Sequence, residues 1–278
     1  METMRVLDSH LHLWDPAVLR YDWLEGRLLR RFGADELHTA LLETPTAERA
    51  AVFVQAECVA TESLREVDWV DTHAATTGVR AIVARAPVDA GSAVRDHLAQ
   101  LSTRPLVVGV RRILQDEAPG FALSPAFIDG ARAVAEHGYT FDACIRHPQL
   151  AQVTALADAV PHLRIILDHL GKPEVHRAPD PSWAAALHDL AARPQVSCKL
   201  SGLPAESGGT WMPHRWLPLL DTALSAFGPT RLLFGSDWPV SWPYAAWEGF
   251  IREWAEASAP AHVDDIMWGN AARFYGIT

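Results

Sequence analysis

The sequence predicts one α/β domain over residues 1–278, a (β/α)8 barrel of the TIM type. Eight short apolar runs rich in β-branched residues follow one another along the chain, and helix-like segments fill most of the gaps between them. Several runs are hydrophobic without a break, which is typical of parallel strands buried on both faces. Eight such units in a chain of 278 residues favour a closed barrel in a single domain.

The eight runs predict the strands in order. Residues 51–54 (AVFV) and 165–167 (IIL) are examples of their apolar character. The runs begin near Met4, Ala50, Val79, Leu106, Tyr139, Leu163, Val196 and Arg231. Helices are expected over residues 61–75, 124–137 and 149–160, between consecutive strands.

The first and last connections differ from this repeat. Residues 21–31 combine aromatic and charged side chains and predict an excursion over the barrel mouth, before a helix near residues 34–42. Residues 263–275 predict a terminal helix packed on the barrel. An open doubly wound sheet is the alternative fold, but the turn after the first run reads HLHLWDP and lacks the glycines typical of that fold.

Composition restricts the partners and the compartment. The chain has 24 Lys and Arg against 34 Asp and Glu, a net charge of −10, which repels nucleic acid and anionic lipid. The first ten residues contain no apolar signal segment, and no apolar stretch is long enough to span a membrane. We therefore expect a cytoplasmic protein whose three cysteines, Cys58, Cys144 and Cys198, are reduced.

Polar residues that end the strands predict the site, because function in such barrels concentrates at the carboxyl ends of the strands. The first run ends in Asp8-Ser9-His10-Leu11-His12, where strand alternation points His10 and His12 to the same side. The sixth run ends with His169 and the eighth with Asp237. Three imidazoles and one carboxylate are a ligand set typical of zinc.

Four motifs carry a family resemblance. The segment of residues 8–16 (DSHLHLWDP), DHLGKP at 168–173, CKLSGL at 198–203 and FGSDWP at 234–239 resemble the amidohydrolase superfamily, and within it the branch of sugar lactonases and pyrone-dicarboxylate lactonases. The resemblance runs in order over nearly the whole chain. It implies a distorted, amidohydrolase-like barrel that hydrolyses lactones, with His10, His12, His169 and Asp237 as metal ligands and Asp237 and His169 as catalytic residues.

The resemblance also has a departure. The fourth run ends in Val110-Arg111-Arg112, with no lysine or glutamate to bridge two metals. We therefore expect one divalent metal, most simply Zn²⁺. Relatives in this branch work with one zinc or with no metal, so the sequence leaves both mechanisms open.

Further residues near the strand ends are candidates for substrate binding. Arg111 and Arg112 have opposite strand parity, so about one of them should point inward; a structural ion pair is the competing role. Glu57 shares parity with Gln55, and Lys199, inside an apolar strand, needs a carboxylate or a substrate as partner. The substrate-binding set is Glu57, Arg111, Arg112, Asp142, His147, Lys172, Trp14 and Trp238.

Together with the net charge of −10, the resemblance implies a hydrolase that opens an L-fucono-, L-rhamnono- or L-galactonolactone with water activated by Asp237. The alternatives are a pyrone-dicarboxylate lactonase, a metal-dependent decarboxylase of the same superfamily, and a catalytically silent barrel that binds sugar acids. No GxSxG nucleophile motif occurs, which argues against an acyl-enzyme. The expected partner is a small lactone, and the sequence leaves open whether the chain forms a homodimer.

Overall fold

Eight parallel strands form one sheet in sequence order in the computed structural model, which describes residues 4–44, 46–177 and 179–278. Each strand begins within two residues of its predicted start. The strands are β1 (Arg5–Leu11), β2 (Glu48–Val54), β3 (Val79–Arg85), β4 (Val107–Arg111), β5 (Thr140–Ala143), β6 (Ile165–Leu167), β7 (Val196–Leu200) and β8 (Leu232–Phe234). The predicted barrel is confirmed.

The barrel closes between β1 and β8 at their carboxyl ends. Leu11 bridges to Trp238 in parallel, and the Asp237 amide donates to the carbonyl oxygen of His10 over 2.8 Å. The His12 amide donates to the carbonyl oxygen of Trp238, also over 2.8 Å. This junction therefore brings residues from opposite ends of the sequence side by side.

Helices alternate with the strands and cover the outside of the barrel. They are α1 (Ala34–Leu41), α2 (Ser63–Thr77), α3 (Val94–Leu101), α4 (Pro125–Glu136), α5 (Leu150–Ala159), α6 (Pro181–Ala191), the single turn α7 (Leu203–Glu206), α8 (Pro213–Phe227), α9 (Tyr244–Ser258) and α10 (Asn270–Tyr275). None of the helices in the described ranges is long and apolar enough to cross a bilayer.

Local sequence signals set several helix ends. Helix α4 begins where the side chain of Ser124 accepts the Phe127 amide and Pro125 occupies the first position. Helix α2 ends at Gly78, whose φ of 71° is the left-handed geometry that glycine adopts without strain. These signals explain why the helices predicted over 124–137 and 61–75 lie within two residues of their observed bounds.

The C-terminal segment closes the lower end of the barrel. The predicted helix over 263–275 is divided into a π-helical turn, Asp265–Gly269, and α10. Trp268 and Tyr275 pack with inward-facing strand residues, among them Leu7, Val83 and Leu233. The three cysteines are free and buried, as predicted.

Candidate active site

A cavity of about 610 Å³ opens at the carboxyl ends of the strands. Its base contains His12, Arg111, His169 and Asp237, and its rim includes Trp23 from the excursion between β1 and α1. Other charged or polar residues that line it are Asp22, Glu57, Arg85, Gln115, Asp116, Lys172 and Glu206. The excursion over the mouth is therefore confirmed.

Asp237 is the point where the predicted residues converge. Its Oδ1 atom lies 3.5 Å from Nε2 of His12, 3.8 Å from Nε2 of His10 and 3.9 Å from Nε2 of His169. The other oxygen, Oδ2, accepts the Ser241 hydroxyl over 2.8 Å. One carboxylate oxygen is thus fixed by the protein and the other faces the imidazoles.

Hydrogen bonds behind the rings orient two of the histidines. His12 Nδ1 lies 2.7 Å from the carbonyl oxygen of Val54, which can only accept, so Nδ1 carries the proton and Nε2 presents a lone pair to the site. His169 Nδ1 is 2.8 Å from the hydroxyl of Ser201. A Cβ atom at Gly202 would lie 2.5 Å from His169 Nδ1, so glycine permits this close approach.

The four expected metal ligands are divided between two overlapping groups, one of which also contains Asp168. His10, His12 and Asp237 offer donor atoms that all lie within 4.8 Å of one another, and so do His10, Asp168 and His169. The two imidazole Nε2 atoms of the first group are 3.2 Å apart. Ligands at 2.0–2.1 Å from a tetrahedral zinc are about 3.4 Å apart, so this group fits a divalent cation. His169 belongs to the second group, and Asp168 is a member that the sequence analysis did not single out.

A buried charge network lies beneath these groups. Lys199 Nζ contacts Asp142 Oδ2 at 2.5 Å, Asp168 Oδ1 at 3.1 Å and His10 Nδ1 at 3.1 Å. Arg111 reaches Asp168 Oδ2 at 3.2 Å from the other side. Lys199 was expected to have a carboxylate or a substrate as its partner, and the structure gives it two carboxylates, Asp142 and Asp168. They are close to Lys199 because β5, β6 and β7 are adjacent in the sheet.

Burial and charge set the protonation states. Burial lowers the pKa of His169 to about 4, so its imidazole is neutral at pH 7. Burial by itself would raise the pKa of Asp237, but the interactions with His169 and His12 outweigh it and hold the pKa well below its ordinary value. Asp237 is therefore ionised at neutral pH and can accept a proton.

Strained backbone is concentrated around the cavity. In the described part of the chain, the non-glycine residues with positive φ are Glu57, His169, Leu170, Lys172 and Asp237, with φ between 53° and 56°. Four of them line the cavity. Such conformations cost roughly 1–3 kcal/mol each and cluster at functional sites. The strain is an independent indication that these side chains are held for function.

Three of the eight expected substrate contacts line the cavity: Glu57, Arg111 and Lys172. Strand parity was right for the arginine pair, because Arg111 points inward while Arg112 turns outward to Asp89 and Glu117.

The structure corrects the placement of the other expected contacts, since Arg112, Asp142, His147, Trp14 and Trp238 do not line the cavity. Asp142 lies below it, paired with Lys199. Both tryptophans are fully buried core residues. His147 sits behind the loop after β6, with Nδ1 3.3 Å from the Lys172 carbonyl oxygen.

Trp23, Arg85 and Gln115 line the cavity without having been predicted. Gln115 accepts the Lys172 ammonium over 2.7 Å. The sequence signal for Trp23 was its position in residues 21–31, which were predicted to pass over the barrel mouth. Arg85 ends β3, and inspection of every strand end would have included it.

Comparison with known proteins gives the family. The amidohydrolase family matches residues 7–277. The chain is 32% identical over 286 residues to an L-fucono-1,5-lactonase of Burkholderia ambifaria, covering 98% of this chain and 95% of the relative. It is 33% identical to an L-fucono-1,5-lactonase of Burkholderia multivorans, with 98% and 96% covered.

Solved structures agree with the sequence matches. A crystal structure of an amidohydrolase from Burkholderia multivorans with bound zinc has a TM-score of 0.85 and 31% identity, covering 98% of this chain and 99% of that one. A probable 2-pyrone-4,6-dicarboxylic acid hydrolase from Acinetobacter baumannii shares the fold, with a TM-score of 0.74 at 17% identity, covering 98% of this chain and 100% of that one. Eight parallel strands, the strand-end histidines and aspartate, and a match over residues 7–277 lead to one conclusion: the chain belongs to the amidohydrolase family.

Proposed function

We propose that this protein hydrolyses a small sugar-acid lactone of the L-fucono-1,5-lactone type, with L-rhamnono- and L-galactonolactones as related substrates. The observation that carries the proposal is the position of Asp237 Oδ1, within 3.9 Å of three imidazole Nε2 atoms at the base of an open cavity. The two L-fucono-1,5-lactonases similar to this chain support the substrate class.

Asp237 is the proposed general base. The ionised carboxylate removes a proton from a water molecule, whose oxygen attacks the lactone carbonyl carbon. The carbonyl oxygen then carries negative charge, and Arg111 and His169, which line the cavity with Asp237, are the proposed groups that stabilise it. When the ring C–O bond breaks, Asp237 returns the proton to the departing ring oxygen, so water and lactone give one hydroxy acid.

The residues that would hold a metal ion are His10, His12 and Asp237. We propose Zn²⁺, because imidazole and carboxylate ligands suit it and a similar amidohydrolase has zinc bound. Such an ion supplies positive charge that lowers the pKa of water and stabilises negative charge on the carbonyl oxygen. His12 is oriented for this role by Val54, and His10 by Asp168, whose Oδ1 lies 3.2 Å from His10 Nδ1.

The charge of the cavity favours a neutral substrate over a dicarboxylate. Five carboxylates and three cationic side chains line it. Arg111 is already paired with Asp168, and Lys172 lies 3.3 Å from Glu206. These side chains sum to −2, and a Zn²⁺ ion on Asp237 would bring the sum to zero, so the cavity has no surplus positive charge for a dianion such as a pyrone dicarboxylate, whereas neutral hydroxyl groups can donate to these carboxylates.

The test offers L-fucono-1,5-lactone, L-rhamnonolactone and L-galactonolactone to purified protein supplied with zinc, and follows acid release. We expect Asp237→Asn to lower kcat/KM at least 100-fold while the protein stays folded, and the exposed Asp71→Asn control to keep the wild-type rate. An Asp237→Asn variant with the wild-type rate would show that the base is another residue.

The same assay separates the alternatives. Turnover of 2-pyrone-4,6-dicarboxylate in preference to all sugar lactones would overturn the substrate class and keep the hydrolysis. Release of carbon dioxide from an aromatic acid, without lactone opening, would replace hydrolysis with decarboxylation. Binding of sugar acids without any turnover after zinc addition would identify a silent barrel.

A further inference from the structure

We propose that Trp23 and Glu57 together recognise the hydroxyl-bearing ring of the substrate, with the indole face stacking on the C–H side of the ring and the carboxylate accepting its hydroxyl groups. This inference rests on the proposed function, because it names the part of the substrate that this site selects. Both residues line the cavity on the side of β2 and of the excursion after β1.

Trp23 is held as a rigid platform. Its indole N–H donates to the carbonyl oxygen of Ala56 over 2.8 Å. Its ring meets Trp14 edge to face with centroids 5.3 Å apart, and the Trp14 indole N–H in turn donates to the carbonyl oxygen of Arg30 over 2.9 Å. Trp23 nevertheless keeps 38% of its surface exposed at the cavity rim. An aromatic face that is fixed before binding loses little entropy when a ring stacks on it.

Glu57 follows Ala56 in the chain and is held in place by hydrogen bonds to Gln55. Its backbone has a φ of 56°, and its amide donates to Gln55 Oε1 over 2.7 Å. Gln55 Nε2 donates back to Glu57 Oε1 over 2.7 Å, and Gln55 itself is fully buried. In the described ranges no residue donates to Glu57 Oε2, so this oxygen is available to a hydroxyl group.

Ala56 joins the two side chains into one unit. Its carbonyl oxygen accepts the Trp23 indole, while its amide donates to the buried Glu66 Oε1 over 3.1 Å. Beside this unit, Arg85 Nε lies 3.8 Å from Glu57 Oε1 and adds a donor to the same wall. An aromatic face next to a fixed acceptor and a donor matches a polyhydroxylated ring, which has an apolar C–H face and a rim of hydroxyl groups.

The experiment compares two neutral lactones that share the reacting ester. L-fucono-1,5-lactone carries ring hydroxyls and δ-valerolactone carries none. We expect Glu57→Gln to lower kcat/KM for the sugar lactone roughly 10- to 100-fold, the effect of losing a hydrogen bond to a charged group, while δ-valerolactone stays within about 3-fold. Trp23→Leu should raise KM for the sugar lactone more than it lowers kcat, and Trp23→Phe should restore part of the loss.

Glu43→Gln and Trp211→Leu are matched controls, since both residues are exposed and lie outside the cavity lining. We expect both control variants to keep the wild-type kcat/KM for each of the two lactones. A Glu57→Gln variant that loses activity equally on both lactones, or on neither, overturns the recognition role and leaves lactone hydrolysis intact.

A binding measurement separates this inference from the proposed function. L-fucose has a hydroxyl-bearing ring but no lactone carbonyl, and calorimetry reports its affinity without turnover. Affinity that falls about 10-fold in Glu57→Gln and Trp23→Leu supports the recognition unit even if no lactone is hydrolysed. Wild-type protein that binds no L-fucose and hydrolyses no sugar lactone overturns both.

Discussion

Glu66 illustrates how a single buried carboxyl group links the site to stability. It lies under the loop of Ala56 and Glu57 and is fully buried. Its Oε1 accepts the Ala56 amide, while Oε2 has no hydrogen-bond partner among the described residues. Burial raises the pKa of Glu66 to about 7, so the folded protein favours its protonated form.

The raised pKa of Glu66 predicts a stability that depends on pH. Because its pKa is higher in the folded than in the unfolded chain, its contribution is fully present below the ordinary pKa of about 4.5 and is lost as pH rises through about 7. Glu66→Gln keeps the amide acceptor and removes the titration. Between pH 5 and pH 8, the free energy of unfolding should therefore fall more in the wild type than in the variant, by about 2–3 kcal/mol.

Urea unfolding of both proteins at the two pH values measures this difference. The exposed Glu43→Gln variant serves as the control and should follow the wild type. Parallel pH profiles for wild type and Glu66→Gln would contradict the raised pKa.

Individual residues were predictable where strand alternation applies. It placed His10 and His12 together and turned one of Arg111 and Arg112 inward. It gave no guidance for Trp14 and Trp238, which were chosen because they neighbour site residues and which the fold buries instead. Side chains beyond a strand end follow loop geometry, which depends on contacts with distant segments.

At the scale of elements, β7 carries a lysine whose charge is balanced by carboxylates on or after the neighbouring strands. Lys199 is fully buried and contacts Asp142 on β5 and Asp168 after β6. Lys199→Met leaves these carboxylates without their ammonium, and removing one partner of a buried ion pair typically costs about 3–5 kcal/mol. We expect urea unfolding to show a loss of that size.

A second substitution tests whether the loss comes from the uncompensated charge. In the wild type the Tyr275 hydroxyl donates to Asp142 Oδ2 over 3.1 Å. Asp142→Asn removes one negative charge and retains an oxygen that can accept this hydrogen bond. The double variant should recover part of the stability lost in Lys199→Met. Additive losses would mean that the side chains contribute independently and that packing, not charge, sets the cost.

Strands were predicted more accurately than the terminal helix. Each apolar run is bounded by polar or turn residues, so its start is visible in the sequence within two residues. The segment 263–275 has one continuous helical pattern, yet it contains the π-helical turn Asp265–Gly269 before α10. A π-helical turn is wider than an α-helical one, and this turn lies where Trp268 and Tyr275 pack into the barrel end. That packing exists only when the sheet is assembled, so the local sequence pattern does not reveal it.

At the scale of the whole molecule, closure of the barrel creates the site. His12 and Asp237 are 225 residues apart in sequence, and the β1–β8 junction brings their side-chain atoms to 3.5 Å. The sequence predicted this convergence because both residues end strands of one barrel, whose carboxyl ends share one face, and the family resemblance implied the same set. It could not predict the division of the ligands into two groups, because that depends on the side-chain directions of Asp168 and His169 at the end of β6.

The same closure predicts that zinc stabilises the folded protein, since the three donors of His10, His12 and Asp237 come together only in the closed barrel. A ligand that binds only the folded state at about 100 times its dissociation constant adds roughly 2.7 kcal/mol. Protein stripped with chelator should therefore melt several degrees higher after zinc is restored. His12→Asn should lose this shift, while the exposed His38→Asn should keep it. An equal shift in His12→Asn would place the ion elsewhere, and no shift in the wild type would leave Arg111 and His169 to stabilise the oxyanion without a metal.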